Sequence, residues 1–194
     1  MKNKKTWMML ALLFVVLMAG AGVLYNKLGA GLAPEQLAVQ QENAETGENE
    51  DAEEKIPAPD FVAYDEAGNE VRLSDFKGKP VVLNFWASWC GPCQMEMPDF
   101  NEKYLEMGDE VHFLMVNMTD GQRETKEKAS AFVKEKGYSF PVFYDTDVNA
   151  AMAYRVYSLP TTYFIDAEGF GVAQASGAID GSTLQRGIDM ITGL

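Results

Sequence analysis

Cysteine and histidine are almost missing from this chain of 194 residues, which holds two cysteines, Cys90 and Cys93, and one histidine, His112. A structural zinc site needs four ligands, and these three residues cannot supply them. Haem attachment needs a histidine directly after the second cysteine, where Gln94 stands instead. Basic residues are also short. Lys and Arg number 16 against 29 Asp and Glu, for a formal net charge of −13, and such a balance lacks the basic patches that nucleic acid requires. Charge is absent from Trp7 to Tyr25, and large apolar residues are few between Leu37 and Ile56.

What is present centres on Trp89-Cys90-Gly91-Pro92-Cys93. Val81-Val82-Leu83-Asn84-Phe85-Trp86 precedes it and reads as a buried strand. Gln94 to Met107 follows and reads as a helix. Cys90 is then expected at a helix N-terminus, where unpaired backbone N–H groups and the helix dipole favour a thiolate. In such Cys-x-x-Cys pairs thiol pKa values fall to roughly 3.5–7.5. Cys93 lies one turn on, within reach of a small disulfide ring, and Pro92 suits a first helical turn because it has no N–H to lose. A purely structural disulfide across so short a loop would stabilise little, so the pair is read as redox-active. Glu96, three residues beyond Cys93, is placed to accept a proton from a thiol; the alternative is a solvated helix charge.

The chain divides into three. Residues 1–25 carry Lys2, Lys4 and Lys5 ahead of the uncharged run, which at about 1.5 Å per residue nearly spans a hydrocarbon core. The lysines predict a cytoplasmic N-terminus and an extracytoplasmic remainder. A single membrane anchor is the favoured reading. Ala19-Gly20-Ala21 also fits a signal-cleavage site, and cleavage would leave a secreted or periplasmic protein. Residues 26–55, with Glu42, Glu45, Glu48, Glu50, Asp51, Glu53 and Glu54, are expected to be an acidic, extended linker. Residues 56–194 are expected to fold as one α/β domain.

Within that domain Phe61–Tyr64 and Glu70–Leu73 flank a turn-rich centre and predict a hairpin. Pro98 is expected to kink the helix after the motif, whose apolar face is drawn from Met97, Phe100, Tyr104 and Leu105. Val111–Met118 predicts a second apolar strand, with His112 structural or solvated near its start. A helix over Gln122–Lys136, capped by Thr119 or Asp120, is supported by an i,i+4 pair of Glu124 with Lys128. Phe140–Tyr144 predicts a strand and Asp145–Tyr154 a short helix. Leu159-Pro160-Thr161-Thr162 opens a strand, a place where proline is tolerated. Val172–Ala175 returns antiparallel, and Asp180 or Ser182 caps a last helix.

The segments Pro59-Asp60-Phe61, Asn84 to Cys93, Glu96-Met97-Pro98 and Leu159-Pro160-Thr161-Thr162, in this order of elements, resemble the thioredoxin superfamily. More narrowly, the chain resembles membrane-anchored extracytoplasmic thioredoxin-like proteins of the TlpA/ResA type, over Ile56 to Leu194. The resemblance implies a thioredoxin-like fold: a central mixed β-sheet flanked by helices, with an N-terminal β-hairpin and an inserted helix. It implies thiol-disulfide oxidoreductase activity with no cofactor beyond the Cys90–Cys93 disulfide. Cys90 would be the nucleophile, Cys93 the resolving thiol and Glu96 the proton acceptor. Trp89, Gly91, Pro92, Leu159 and a cis Pro160 would meet the substrate. Asn84 stands where cytosolic thioredoxins carry a buried Asp, and it cannot accept a proton as Asp does.

The implied partners are disulfide-containing envelope proteins and an integral-membrane thiol electron donor, with the chain acting as a monomer. Roles in cytochrome c maturation or in supplying a methionine sulfoxide reductase both fit the resemblance. A dithiol oxidase would use the same residues. A copper-delivery protein using both cysteines is a further alternative.

Overall fold

The computed structural model describes residues 37–39 and 55–193. The expected anchor, Trp7 to Tyr25, and most of the expected linker lie outside them. Among the described residues no helix is long and apolar enough to cross a membrane. Two residues of the expected linker, Ala38–Val39, form strand β1 and pair antiparallel with Gln174 and Ala173.

The strands that follow are β2 (Ile56–Pro57), β3 (Val62–Tyr64), β4 (Glu70–Arg72), β5 (Val81–Trp86), β6 (His112–Asn117), β7 (Val142–Tyr144), β8 (Thr161–Ile165) and β9 (Phe170–Ser176). The helices are α1 (Gly91–Met107), α2 (Lys126–Lys136), α3 (Asn149–Ala153) and α4 (Gly181–Thr192), with a 3-10 turn at Leu73–Phe76. One nine-stranded sheet runs in the order β1-β9-β8-β5-β6-β7-β3-β4, with β2 also on β9. Parallel pairing of β5 with β6 and of β6 with β7, and antiparallel pairing of β5 with β8, make it the mixed sheet of a thioredoxin-like fold.

Every residue of β5 is buried, as a strand must be when neighbours flank it and helices cover both faces. Its side chains alternate between two cores. Val82 and Trp86 join Phe113 and Met115 on the face that holds Cys90, Cys93 and α4. Val81, Leu83 and Phe85 join Leu114 and Val116 on the other. On the first face α4 lies close to the sheet because residue 187 is glycine: a Cβ there would sit 2.2 Å from the Phe164 ring.

The helices differ from their sequence-based bounds in instructive ways. α1 runs through Pro98 as one continuous helix. Its inner face is Met97 and Phe100, both buried, whereas Leu105 is exposed. At about 100° per residue, Leu105 turns away from the stripe that Tyr104 still borders. α2 begins at Lys126, later than expected, with Thr125 Oγ1 accepting the Lys128 N–H at 3.3 Å. Asp120 caps no helix. Its carboxylate accepts the N–H groups of Gln122 and Glu124 and closes a local turn that delays the helix. The expected Glu124–Lys128 pair does not form. Glu124 is buried, and the Lys128 ammonium donates to the carbonyls of Gln122 and Arg123. α3 is shorter than expected, with the Asp145 carboxylate accepting the N–H groups of Ala150 and Ala151.

Candidate active site

The chain leaves the sheet at the C-terminal end of the central strand β5, and α1 starts five residues later. Cys90 is the N-cap of α1, and its sulfur accepts the backbone N–H of Cys93 at 3.2 Å. Cys90 and Cys93 form a disulfide. Their exposures differ, 4% for Cys90 and 0% for Cys93. Cys90 borders a cleft of about 460 Å³ that Trp89, Gly91, Pro92 and Leu159 also line. Cys93 lies behind it in the core.

Across the cleft the Leu159–Pro160 peptide bond is cis. Pro160 itself is buried, and its carbonyl is taken by Gly177 N–H. The backbone N–H and C=O of Leu159 have no partner among the described residues. The site therefore presents an unpaired peptide edge beside a sulfur, which is what an extended substrate segment can add to.

Glu96 is not a solvated helix charge: it is 2% exposed. Asn84 Nδ2 donates to its Oε1 at 2.8 Å, and the Ile179 N–H donates to its Oε2 at 3.0 Å. Burial pushes the acid up from an ordinary 4.5 to about 7, against the pull of the Ile179 and Asn84 donors, and nearby Asp99 adds to the rise. Asn84 also donates to Thr162 Oγ1 at 3.0 Å, so it ties α1 to β8 across β5. Its own Oδ1 is buried without a partner.

Two residues that the sequence did not single out complete the surroundings. The Glu124 carboxylate accepts Ser88 N–H at 2.8 Å, Ser88 Oγ–H at 2.7 Å and Asn117 Nδ2 at 2.7 Å. It thus pins the turn just ahead of Cys90 to the end of β6. Its neighbour Arg123 points outward, with its guanidinium 3.5 Å from the centroid of the Trp89 ring. The available signal was the Asp120-Gly121 turn, which moves the helix start beyond Glu124 and frees both residues from the helix surface. Of the expected site residues, Trp89, Cys90, Gly91, Pro92 and Leu159 meet at one cleft, while Cys93, Glu96 and Pro160 stand behind it. Trp86 is fully buried and takes no part in the cleft wall.

Residues 55–172 match the AhpC/TSA family. The thiol-disulfide oxidoreductase ResA of Bacillus subtilis is 32% identical over 191 residues, covering 98% of this chain and 95% of its own. ResA of Geobacillus kaustophilus is 39% identical over 135 residues, 69% of this chain and 75% of its own. Among solved structures, the pneumococcal exposed lipoprotein thioredoxin Etrx1 of Streptococcus pneumoniae is 36% identical with a TM-score of 0.57, covering 70% of this chain and 99% of that one. A redox-spaced cysteine pair at a helix N-terminus, in this fold and with these relatives, makes the chain a thiol-disulfide oxidoreductase that belongs to the thioredoxin-like AhpC/TSA family and resembles its ResA members.

Proposed function

We propose that the chain reduces disulfides in extracytoplasmic proteins, with Cys90 as the attacking thiolate, Cys93 as the resolving thiol and Glu96 as the proton acceptor. One observation carries the reading. The Cys90 sulfur caps α1 and borders an open cleft opposite the unpaired backbone of Leu159, whereas Cys93 is closed off behind it. Only one sulfur can meet a substrate first.

The Cys90 thiolate attacks one sulfur of R–S–S–R′. A Cys90–S–R bond forms and R′–S⁻ leaves. Cys93 then gives up its proton and attacks the Cys90 sulfur, which breaks the mixed disulfide and releases R–S⁻. Two electrons pass from the cysteine pair to the substrate. The Cys93 proton moves to Glu96 and on to a product thiolate, and water supplies the second proton. An acid near 7 accepts and returns a proton at neutral pH better than one near 4.5. The exposed face of Trp89, with Gly91 and Pro92, forms the floor on which the substrate lies, and Leu159 pairs with its backbone.

The uncharged run behind Lys2, Lys4 and Lys5 supports a membrane tether that holds the domain outside the cytoplasm, and an integral-membrane thiol relay would return the electrons. Apocytochrome c and a methionine sulfoxide reductase are substrates of suitable chemistry.

The Cys93→Ser variant tests the mechanism. In cells it is expected to accumulate mixed disulfides through Cys90 that collapse on addition of dithiothreitol, and Cys90→Ser should accumulate none. Trapping by Cys90→Ser in place of Cys93→Ser would reverse the roles. Direction is read from the reduction potential of the pair. A value near about −270 mV supports a reductase, and one near about −120 mV would make the chain an oxidase.

A further inference from the structure

The cleft beside the disulfide carries one charged lining residue, Arg123. The rest of its wall is uncharged and includes Tyr157, which is 91% exposed.

 Met118, Val156 and Leu159 supply its aliphatic part.

Arg123 stands out against a chain of formal net charge −13. It is exposed, and its guanidinium makes no ion pair among the described residues. It is also held in place. Glu124 is anchored on Ser88 and Asn117, and Asp120 closes the turn beneath it. Stacking on Trp89 at 3.5 Å fixes the guanidinium over the residue just before Cys90. A stacked arginine keeps its N–H donors free at the ring's edge and is well suited to a carboxylate.

We propose that Arg123 selects substrates, favouring disulfide-bearing segments with an acidic side chain next to the target cysteine. This rests on the exchange reading above and names the substrate class for the same cleft. A carboxylate there meets the one charge on the wall among the described residues, while a substrate lysine or arginine meets repulsion, so the discrimination has an attractive and a repulsive part. The cation lines the cleft and no carboxylate does, while the neighbouring carboxylates of Asp120 and Glu124 are taken up by hydrogen bonds of their own. The contrast guides acidic segments to the disulfide and not to the molecule at large.

The test uses the full-length protein in detergent, reduced beforehand, with three cyclic disulfide peptides that differ only in a Glu, Gln or Lys beside one cysteine. Second-order rate constants for peptide reduction are measured together with that for hydroxyethyl disulfide, which carries no charge. The wild-type protein is expected to reduce the Glu peptide roughly fivefold faster than the Lys peptide at low salt, the scale of an exposed ion pair. The ratio should shrink at high ionic strength. Arg123→Gln should bring it close to one, and Arg123→Lys should keep the order with a smaller ratio. A ratio that survives in Arg123→Gln overturns the proposal. So does a change in Arg123→Gln that is equal for all three peptides and hydroxyethyl disulfide, which would place Arg123 on the thiolate and not on the substrate. A wild-type protein that reduces neither hydroxyethyl disulfide nor any peptide overturns the exchange reading itself, and this inference with it.

Discussion

Glu124 shows how much one buried side chain can hold. Its two oxygens accept three hydrogen bonds, two of them from Ser88, which sits two residues ahead of Cys90. Removing the carboxylate leaves a half-buried backbone N–H and hydroxyl of Ser88 and a buried amide of Asn117 without that partner, and each orphaned group costs about 1–3 kcal/mol, the half-buried ones at the low end. Glu124→Ala should therefore lower unfolding free energy by about 3 kcal/mol or more in urea titrations. Ser88→Ala removes only the hydroxyl contact and should cost about 1 kcal/mol. If both variants lose the same small amount, the clamp is not holding the turn. Asn84 is the companion case inside the site. It serves Glu96 and Thr162 with one amide nitrogen while its oxygen stays unpartnered, so the polar centre of this core is only partly satisfied.

Elements carry their own constraints, and α4 is the sharpest. It can approach β8 only because Gly187 has no side chain, since a Cβ would lie 2.2 Å from two atoms of the Phe164 ring. Gly187→Ala favours the helix locally by removing backbone freedom, yet it must push α4 or Phe164 aside in a packed core. Overpacking of this kind costs about 1–3 kcal/mol and outweighs the helix gain. A lower midpoint of thermal unfolding is the expected result, and an unchanged or higher one would mean that the helix shifts freely. The same element scale shows what the sequence made legible. The strands were readable because alternation and unbroken apolar runs report burial directly: β5, β6 and β8 lie within the expected bounds. The cap of α4 by Asp180 was readable too. The start of α2 was not, because Asp120 can cap a helix or close a turn, and local pattern does not separate the two. Glu124 was read as one half of a helix-surface pair with Lys128, since its partner Ser88 is 36 residues away and no spacing rule reports so distant a contact. Arg123 was hidden for the same reason. The Cys90–Cys93 pairing was legible from its spacing, but the Ile179 N–H that donates to Glu96 comes from 83 residues on.

At the scale of the whole molecule, the buried acid at Glu96 links folding to pH. Its ordinary value is 4.5 and its value in the fold is about 7. Between these the unfolded chain has released the proton and the folded chain still holds it. The folded state is thus favoured at low pH by this group, and the advantage is lost as pH rises through about 7. The size follows from the shift, roughly 3 kcal/mol at 1.36 kcal/mol per pH unit. Other groups titrate as well. Burial lowers the value of His112 and makes stability rise with pH over its range, and the acidic surface adds repulsion as carboxylates ionise. Those contributions are shared by wild type and by Glu96→Gln, so the difference between the two proteins isolates Glu96. Gln keeps one acceptor oxygen for Asn84 or Ile179 and sets an NH₂ against the other donor. That mismatch lowers stability by an amount independent of pH. The prediction is therefore about slope. In urea unfolding of the oxidised proteins from pH 4.5 to 8, wild type should lose stability relative to Glu96→Gln by about 3 kcal/mol, most of it before pH 7. Added salt should flatten the contribution of the surface and leave that of the buried acid in place, because charges away from solvent are screened much less. Parallel curves across the range would mean that Glu96 is ionised in the fold throughout, and would remove the property that suits it to exchange protons with Cys93 at neutral pH.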